Sequence, residues 1–148
     1  MNFDHPDSLD TQRLISDLDE LRAGQPTGLP RYDFAHHRRE AEDELVSPTP
    51  VIVVEGILVF VSEALRNRMD HRVFVNAPEE VRLERRVARD KSTRGRTENE
   101  VRERFAQSVR PMHSAFVEPS RRFADQIVDG TESLECSVQA VWETLPVK

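Results

Sequence analysis

Four groups of residues have types and spacings that could do chemistry. The densest is a run of cations from Arg82 to Arg104: Arg82, Arg85, Arg86, Arg89, Lys91, Arg94, Arg96, Arg102 and Arg104, nine in all, against the five acids Glu84, Asp90, Glu98, Glu100 and Glu103. The window therefore carries +4 in a chain whose net charge is −6. Lys91 and Lys148 are the only lysines, so this basicity is almost entirely guanidinium. A guanidinium is a planar fork of donors that matches two phosphate oxygens at once. Arginines on a loop tip such as Arg94-Gly95-Arg96 can cover a phosphoryl group in transfer and neutralise its charge. The plainer reading of the same run is a solvated helix laced with ion pairs four residues apart.

Three smaller groups stand beside it. Glu55 and Gly56 directly follow the apolar run Val51-Ile52-Val53-Val54. In open α/β sheets ligands lie beyond the carboxyl ends of strands, which would put Glu55 within reach of a metal ion or its waters. Otherwise it is a surface turn acid. Asp4-His5-Pro6-Asp7 places two acids around a histidine just ahead of a helix. Asp7 is explained as a helix N-cap. Asp4 has no such explanation and could accept two hydroxyl hydrogen bonds, as a sugar offers. Tyr32-Asp33-Phe34, with His36, His37 and Arg38, combines rings and cations suited to stacking on and bonding to a nucleobase. Adjacent histidines in an extended chain point to opposite sides, which argues against a metal site there.

The elements that must position these groups follow from patterning. Ser8–Arg22 reads as a helix capped by Asp7 or Ser8, with Leu14, Leu18 and Leu21 on one face and a stop at Gly24. Gln25–Pro30 reads as a turn, Arg31–Glu40 as extended or loop, and Glu44–Pro50 as a connection. Val51–Val54, β-branched and bounded by Pro50 and Gly56, reads as a buried parallel strand. A short helix over Ser62–Met69 and a strand over His71–Asn76 follow. Pro78 then opens a helix to about Lys91, with Val81, Val87 and Leu83 inward. After a loop over Ser92–Thr97, helix resumes near Glu98 and is interrupted at Pro111 and Pro119. Gln126–Val128 reads as a strand and Leu134–Leu145 as a closing helix capped by Ser133 or Thr131. Strands alternating with helices predict an α/β fold with a parallel sheet.

Composition bounds the class. A chain of 148 residues, 37% hydrophobic and 32% charged, suits one domain with a real core. Its acidic balance argues against generic nucleic-acid binding. The apolar stretch around Val51–Val61 is too short and interrupted to span a bilayer as a helix, and MNFDHPDSLD does not read as a signal peptide. A cytoplasmic location without membrane association is expected. One cysteine, Cys136, excludes an internal disulfide and reads as a core residue.

Taken together, NFDHPDSLD, PRYDFAHHRRE, VIVVEGIL, RLERRVARDKSTRGR and VRPMHSAFVEPSRRFAD run in an order and spacing that resembles the uridine kinase (uridine–cytidine kinase) family of P-loop kinases, over about Asn2 to Val128. The resemblance implies transfer of the γ-phosphoryl of ATP to the 5′-hydroxyl of uridine or cytidine, with ATP and Mg²⁺ required. It implies that Asp4 holds the ribose hydroxyls, that Tyr32 and His37 contact the pyrimidine, and that Glu55 helps place Mg²⁺. Arg86 and Arg96 would line the substrate and phosphate site, with Arg89 and Arg94 as further lid arginines and 82–110 as the lid region. At Arg104-Phe105 the family commonly has glutamine and tyrosine, so Arg104 bears on the nucleoside contact.

The phosphate cradle of such kinases needs G-x-x-x-x-G-K-[ST]. The glycines here are 24, 28, 56, 95 and 130, and none is followed by lysine. The family carries that segment, and the aspartate that serves as base, upstream of DHPD. The expectation is a single uridine-kinase-like domain over 1–148, truncated at its N-terminus and not competent alone. An inactive nucleoside-binding or partner-dependent relative is the alternative. In the family the P-loop strand pairs with the strands corresponding to Val51–Val54 and His71–Asn76. Its loss predicts a chain that is unstable, homo-oligomeric or repacked.

Overall fold

The computed structural model describes residues 4–33 and 38–146, with side chains described at 4–30 and 43–146. Its first helix begins later than Ser8. Pro6–Ser8 forms a separate 3₁₀ turn, in which the Asp7 amide donates to His5 Nδ1 at 3.2 Å. Leu9 is then extended, and α1 (Thr11–Arg22) starts under Asp10, whose carboxylate accepts from the Arg13 amide at 3.1 Å. Neither Asp7 nor Ser8 caps this helix. The Pro6 ring fits a short turn, and the extended Leu9 separates that turn from α1. Gly24, at φ +79°, ends the element in a backbone region that favours glycine.

The turn expected over Gln25–Pro30 is instead the start of a strand. β1 (Thr27–Asp33) pairs antiparallel with β2 (Arg38–Val46), and β2 takes up part of the connection expected from Glu44. Pro30 sits at a register shift between Pro30 and Tyr32, the place in a ladder where a residue without an N–H is tolerated. Polar contacts dock this pair on α1. Thr27 Oγ1 donates to Asp17 Oδ1 at 3.0 Å with both residues buried, and Arg13 Nη2 donates to Gly28 O at 2.7 Å and to Asp43 Oδ2 at 2.8 Å.

The parallel sheet has two strands among the described residues, β3 (Val73–Asn76) and β4 (Gln126–Asp129), in register from Val73↔Gln126 to Asn76↔Asp129. Arg72 and Asp125 set that register just ahead of the strands: Asp125 accepts from the Arg72 amide and Nε at 2.9 Å each and from Nη2 at 2.7 Å. Val51–Val54 does not become a strand. Residues 51–56 belong to no helix or sheet, and Val53 is 83% exposed. A β-branched run is stable as a central strand only when neighbours complete its ladder and cover both faces, and no described strand pairs with it.

The helices close over these strands. α2 (Glu63–Arg66) is capped by Ser62, α3 spans Glu79–Thr93, and α4 spans Glu98–Arg104. The helical run then continues to Phe123 without breaking at either proline. A π turn over Phe105–Val109 precedes α5 (Arg110–Met112), which holds Pro111, and a second over His113–Val117 precedes α6 (Glu118–Ser120), which holds Pro119. The widened turn ahead of each proline relieves the ring's clash with the preceding turn and absorbs the missing N–H. α7 (Leu134–Trp142) is capped by Ser133. Cys136, on α7, is exposed rather than core, because it lies in the first turn of a helix whose described residues include none that is buried.

Two apolar clusters form the core. Leu58, Phe60, Phe74 and Val117 make one; Ile15, Leu18 and Leu65 make the other; Val59 and Met69 pack against both. Val101, 1% exposed on α4, is among the most completely buried side chains. Val101→Ala is expected to cost about 2 kcal/mol through lost burial and a residual cavity. Val138→Ala, at a position 55% exposed on α7, is expected to stay within about 0.5 kcal/mol. Urea denaturation of the two variants checks this; equal losses would contradict the burial described.

Candidate functional site

The cation-rich window folds into a helical hairpin. α3 begins with Glu79 and Glu80 and carries Lys91 in its last turn, each sign favourable at its end of the helix. Gly95, at φ +61°, reverses the chain. Thr97 and Glu100 then start α4 with a reciprocal capping box, the Glu100 carboxylate accepting from the Thr97 amide at 2.8 Å. Arg102 ties the two helices together by donating to Glu84 on α3 at 2.7 Å, and it braces its own helix by donating to Glu98 at 2.9 Å. Some of these ion pairs are the solvated kind that the plainer reading anticipates.

The centre of the hairpin is different. Asp90 has no exposure at all, and four arginines converge on its carboxylate. Arg89 donates to Oδ1 through Nε at 2.9 Å and Nη2 at 2.8 Å. Arg94 lies 3.6 Å from Oδ1, Arg96 3.3 Å from Oδ2, and Arg86 3.8 Å from Oδ2. The main chain repeats the pattern, since the amides of Arg94 and Arg96 both donate to the Asp90 carbonyl at 3.2 Å. Burial pushes the Asp90 carboxyl up, but the Arg89 hydrogen bond and the charges of Arg89, Arg94 and Arg86 outweigh it, and its pKa lies below the ordinary 3.8.

The expected arginines Arg86, Arg89, Arg94 and Arg96 are thus brought together, and Asp90 is the residue that sequence reasoning missed. Its signal was present as spacing: Asp90 stands four residues after Arg86 and four before Arg94, the interval at which helical side chains meet. Asp4 joins the same region. Burial lowers the Arg86 pKa, and the negative charge of Asp4, together with that of Asp90, acts against that shift. His5, beside it, packs edge-on against Phe116 with ring centroids 4.9 Å apart, which holds the Asp4 segment to the long helical run.

Other expected residues fall elsewhere. Glu55 is exposed and follows residues that form no strand, so the strand-end argument for its position does not apply. Among the described residues no group of three or more His, Cys, Asp or Glu side chains converges as a metal site. Arg104 is exposed on the last turn of α4. Tyr32 is on β1, opposite Arg39, and its side chain lies outside those described, while His36 and His37 lie outside the described residues. An open cleft of about 310 Å³ lies between the 3₁₀ turn and the core, lined by residues such as Asp7, Asp10, Leu58 and Ser62 and by none of the arginines. No helix among the described residues is long and apolar enough to cross a membrane.

Comparison with known proteins bears on this arrangement. Residues 1–136 match the model of the phosphoribulokinase/uridine kinase family. The chain is 48% identical over 129 residues to a protein named uridine kinase from Chloroflexus aurantiacus, covering 87% of this chain and 62% of that relative. The uridine kinase of Chloroflexus aggregans matches at the same identity and coverage, and that of Borreliella burgdorferi is 40% identical over 128 residues, covering 86% of this chain and 62% of the relative. The chain therefore spans somewhat under two thirds of the length of these curated relatives.

The Asp90 cluster makes a pH-dependent prediction. A carboxylate held below 3.8 contributes stability that is present in full above the unfolded-state pKa and is lost as pH falls through the folded-state value. Asp90→Asn is expected to cost about 3–5 kcal/mol at neutral pH, because it leaves several cations without their buried partner. The gap between wild type and variant should narrow as pH drops below about 4. Denaturant melts at pH 7, 5, 4 and 3 measure it, and a gap that is constant with pH would contradict an ionised Asp90.

Proposed function

The chain belongs to the phosphoribulokinase/uridine kinase family, and from that membership we propose that it serves the ATP-dependent phosphorylation of uridine or cytidine at the 5′-hydroxyl. The observation that carries this reading is the convergence of Arg86, Arg89, Arg94 and Arg96 around Asp90, with the charge of Asp4 acting on Arg86. A nucleoside held by its ribose hydroxyls at Asp4 would present its 5′-hydroxyl toward a cationic region. Arginines there neutralise the charge on the phosphoryl group as it moves, which is where most of the catalysis of phosphoryl transfer comes from.

Other roles follow from the family. Tyr32 and His37 are proposed to contact the pyrimidine, and Arg104 to border the nucleoside. Region 82–110 acts as the lid of one kinase-like domain. Mg²⁺, if bound, would supply positive charge that offsets the charge of the ATP phosphates. Glu55 is the carboxylate proposed to help hold it, and a single exposed carboxylate suits an ion that keeps most of its waters and takes its remaining ligands from phosphates.

The 148 residues contain no G-x-x-x-x-G-K-[ST] segment. We therefore propose that turnover requires a phosphate cradle supplied from outside these residues. The same observation favours a second reading, a nucleoside-binding relative that depends on a partner and does not itself turn over ATP.

Calorimetry with uridine and with 2′,3′-dideoxyuridine tests the binding half. Uridine is expected to bind, and both Asp4→Asn and removal of the two hydroxyls should weaken binding by about 1–3 kcal/mol, the cost of unmaking hydrogen bonds to a charged group. Equal affinity for both nucleosides would remove Asp4 from the site. Phosphate transfer from labelled ATP to uridine, with a separately expressed P-loop segment added, tests the chemical half. Arg96→Ala should then lower kcat by about 10³-fold. Uridine binding with no transfer under any of these conditions would favour the second reading.

A further inference from the structure

An anion that binds among the four arginines must meet a carboxylate already there. Asp90 could act in either of two ways: as a competitor that a phosphate has to displace, or as a scaffold that holds the guanidiniums apart and aimed. The distances separate these roles. Arg89 is committed to Asp90, with two of its nitrogens on Oδ1 at 2.8 and 2.9 Å. Arg94, Arg96 and Arg86 are looser, at 3.6, 3.3 and 3.8 Å. Asp90 and Asp4 set two negative charges against four guanidiniums of five donors each, so the cluster keeps an excess of positive charge and more N–H groups than these carboxylates can accept.

The loop tip is held twice over. The amides on both sides of Gly95 donate to the Asp90 carbonyl while the side chains of Arg94 and Arg96 approach its carboxylate. Among the described residues, nothing lies within 4 Å of where a side chain at Gly95 would begin. Without such a tether, four like charges on adjacent turns would repel one another and spread into solvent.

We infer that Asp90 is a positioning residue: it preassembles Arg86, Arg94 and Arg96 as a site for a polyphosphate anion and engages Arg89 as the anchor of that assembly. Identification of the anion as the phosphate chain of ATP rests on the kinase reading above; the role of Asp90 does not.

The sign of one measurement separates positioning from bulk charge. Asp90→Asn and Glu84→Gln each make the protein more positive by one unit on the same helix, and Glu84 pairs with Arg102 outside the cluster. Charge alone predicts that both variants bind an anion more tightly. The positioning role predicts that inorganic tripolyphosphate, titrated by calorimetry into the full chain, binds Asp90→Asn about tenfold more weakly than wild type, while Glu84→Gln binds equally or more tightly. An affinity for Asp90→Asn equal to or above that of wild type would overturn the inference, as would wild type that does not bind tripolyphosphate.

A second readout needs no variant to fold. In ¹⁵N spectra of the wild-type chain, tripolyphosphate should move the Nε–Hε signals of Arg86, Arg94 and Arg96 and leave that of Arg89 nearly fixed. A dominant shift at Arg89 would mean that the anion displaces the anchor, and would sink the scaffold role. Polyphosphate binding with this pattern, together with no uridine phosphorylation in the assay above, would retain Asp90 and discard the kinase reading.

Discussion

A carboxylate removed from water stays ionised only where cations and hydrogen bonds replace its hydration, and much of the α3–α4 hairpin is arranged around that requirement at Asp90. Arg89 and Arg86 come from the same helix, Arg94 and Arg96 from the reversal at Gly95. The demand runs in both directions. The acid needs the arginines, and the arginines, crowded within a few turns, need the acid. A section that carries surplus positive charge is thereby folded into a defined shape, and Val101 and the Arg102–Glu84 pair fasten it as an antiparallel pair.

Away from the hairpin the chain uses a small apolar core and directs it with polar contacts. The two clusters are joined through Val59 and Met69. Buried Asp17 holds Thr27, Arg13 reaches across to Asp43, and Arg68 grips Asp19 with two nitrogens at 2.7 Å each. These bonds join α1 to segments 10, 30 and 49 residues along the chain, so the first helix acts as a hub for the strand pair on one side and for the segment after α2 on the other. Exposed pairs of this kind contribute little energy singly. Their value lies in fixing which faces meet.

Legibility in the sequence follows how local each determinant is. The spans of α3, β3, β4 and α7 could be read because caps, β-branched runs and flanking prolines act within a few residues. The convergence of four arginines could also be anticipated, but the acid at its centre was hidden among five in the window, since burial is not a property of spacing alone. Val51–Val54 has the composition of a strand but forms none, because strand propensity says nothing about whether a ladder partner is at hand. Pro111 and Pro119 do not break the helical run, because the rule that predicts breaks assumes ordinary α geometry around a proline. For Glu55, the rule for strand ends had no strand to act on. Asp4 could be singled out only by elimination, and its electrostatic link to Arg86, like the His5–Phe116 contact beside it, joins segments far apart in the sequence.

The widened turns in the long helical run also keep its angular phase. Val101, Phe105, Val109 and Val117 are all buried, at intervals of four or eight residues. An unbroken α-helix advances about 100° per residue, so a stripe with a strict period of four would drift about 40° at each step and point largely away from the core after sixteen residues. Each π turn takes more residues per revolution and cancels part of that drift. The run therefore behaves like a vernier, and its length matters more than the identity of its exposed residues. Substitutions on the outer side leave the phase untouched. Adding or removing one residue outside the π turns would rotate everything downstream by about 100°, swinging Val117 out of the cluster it shares with Phe74, whereas a π turn that lost one residue would close as an ordinary α turn and nearly keep the phase.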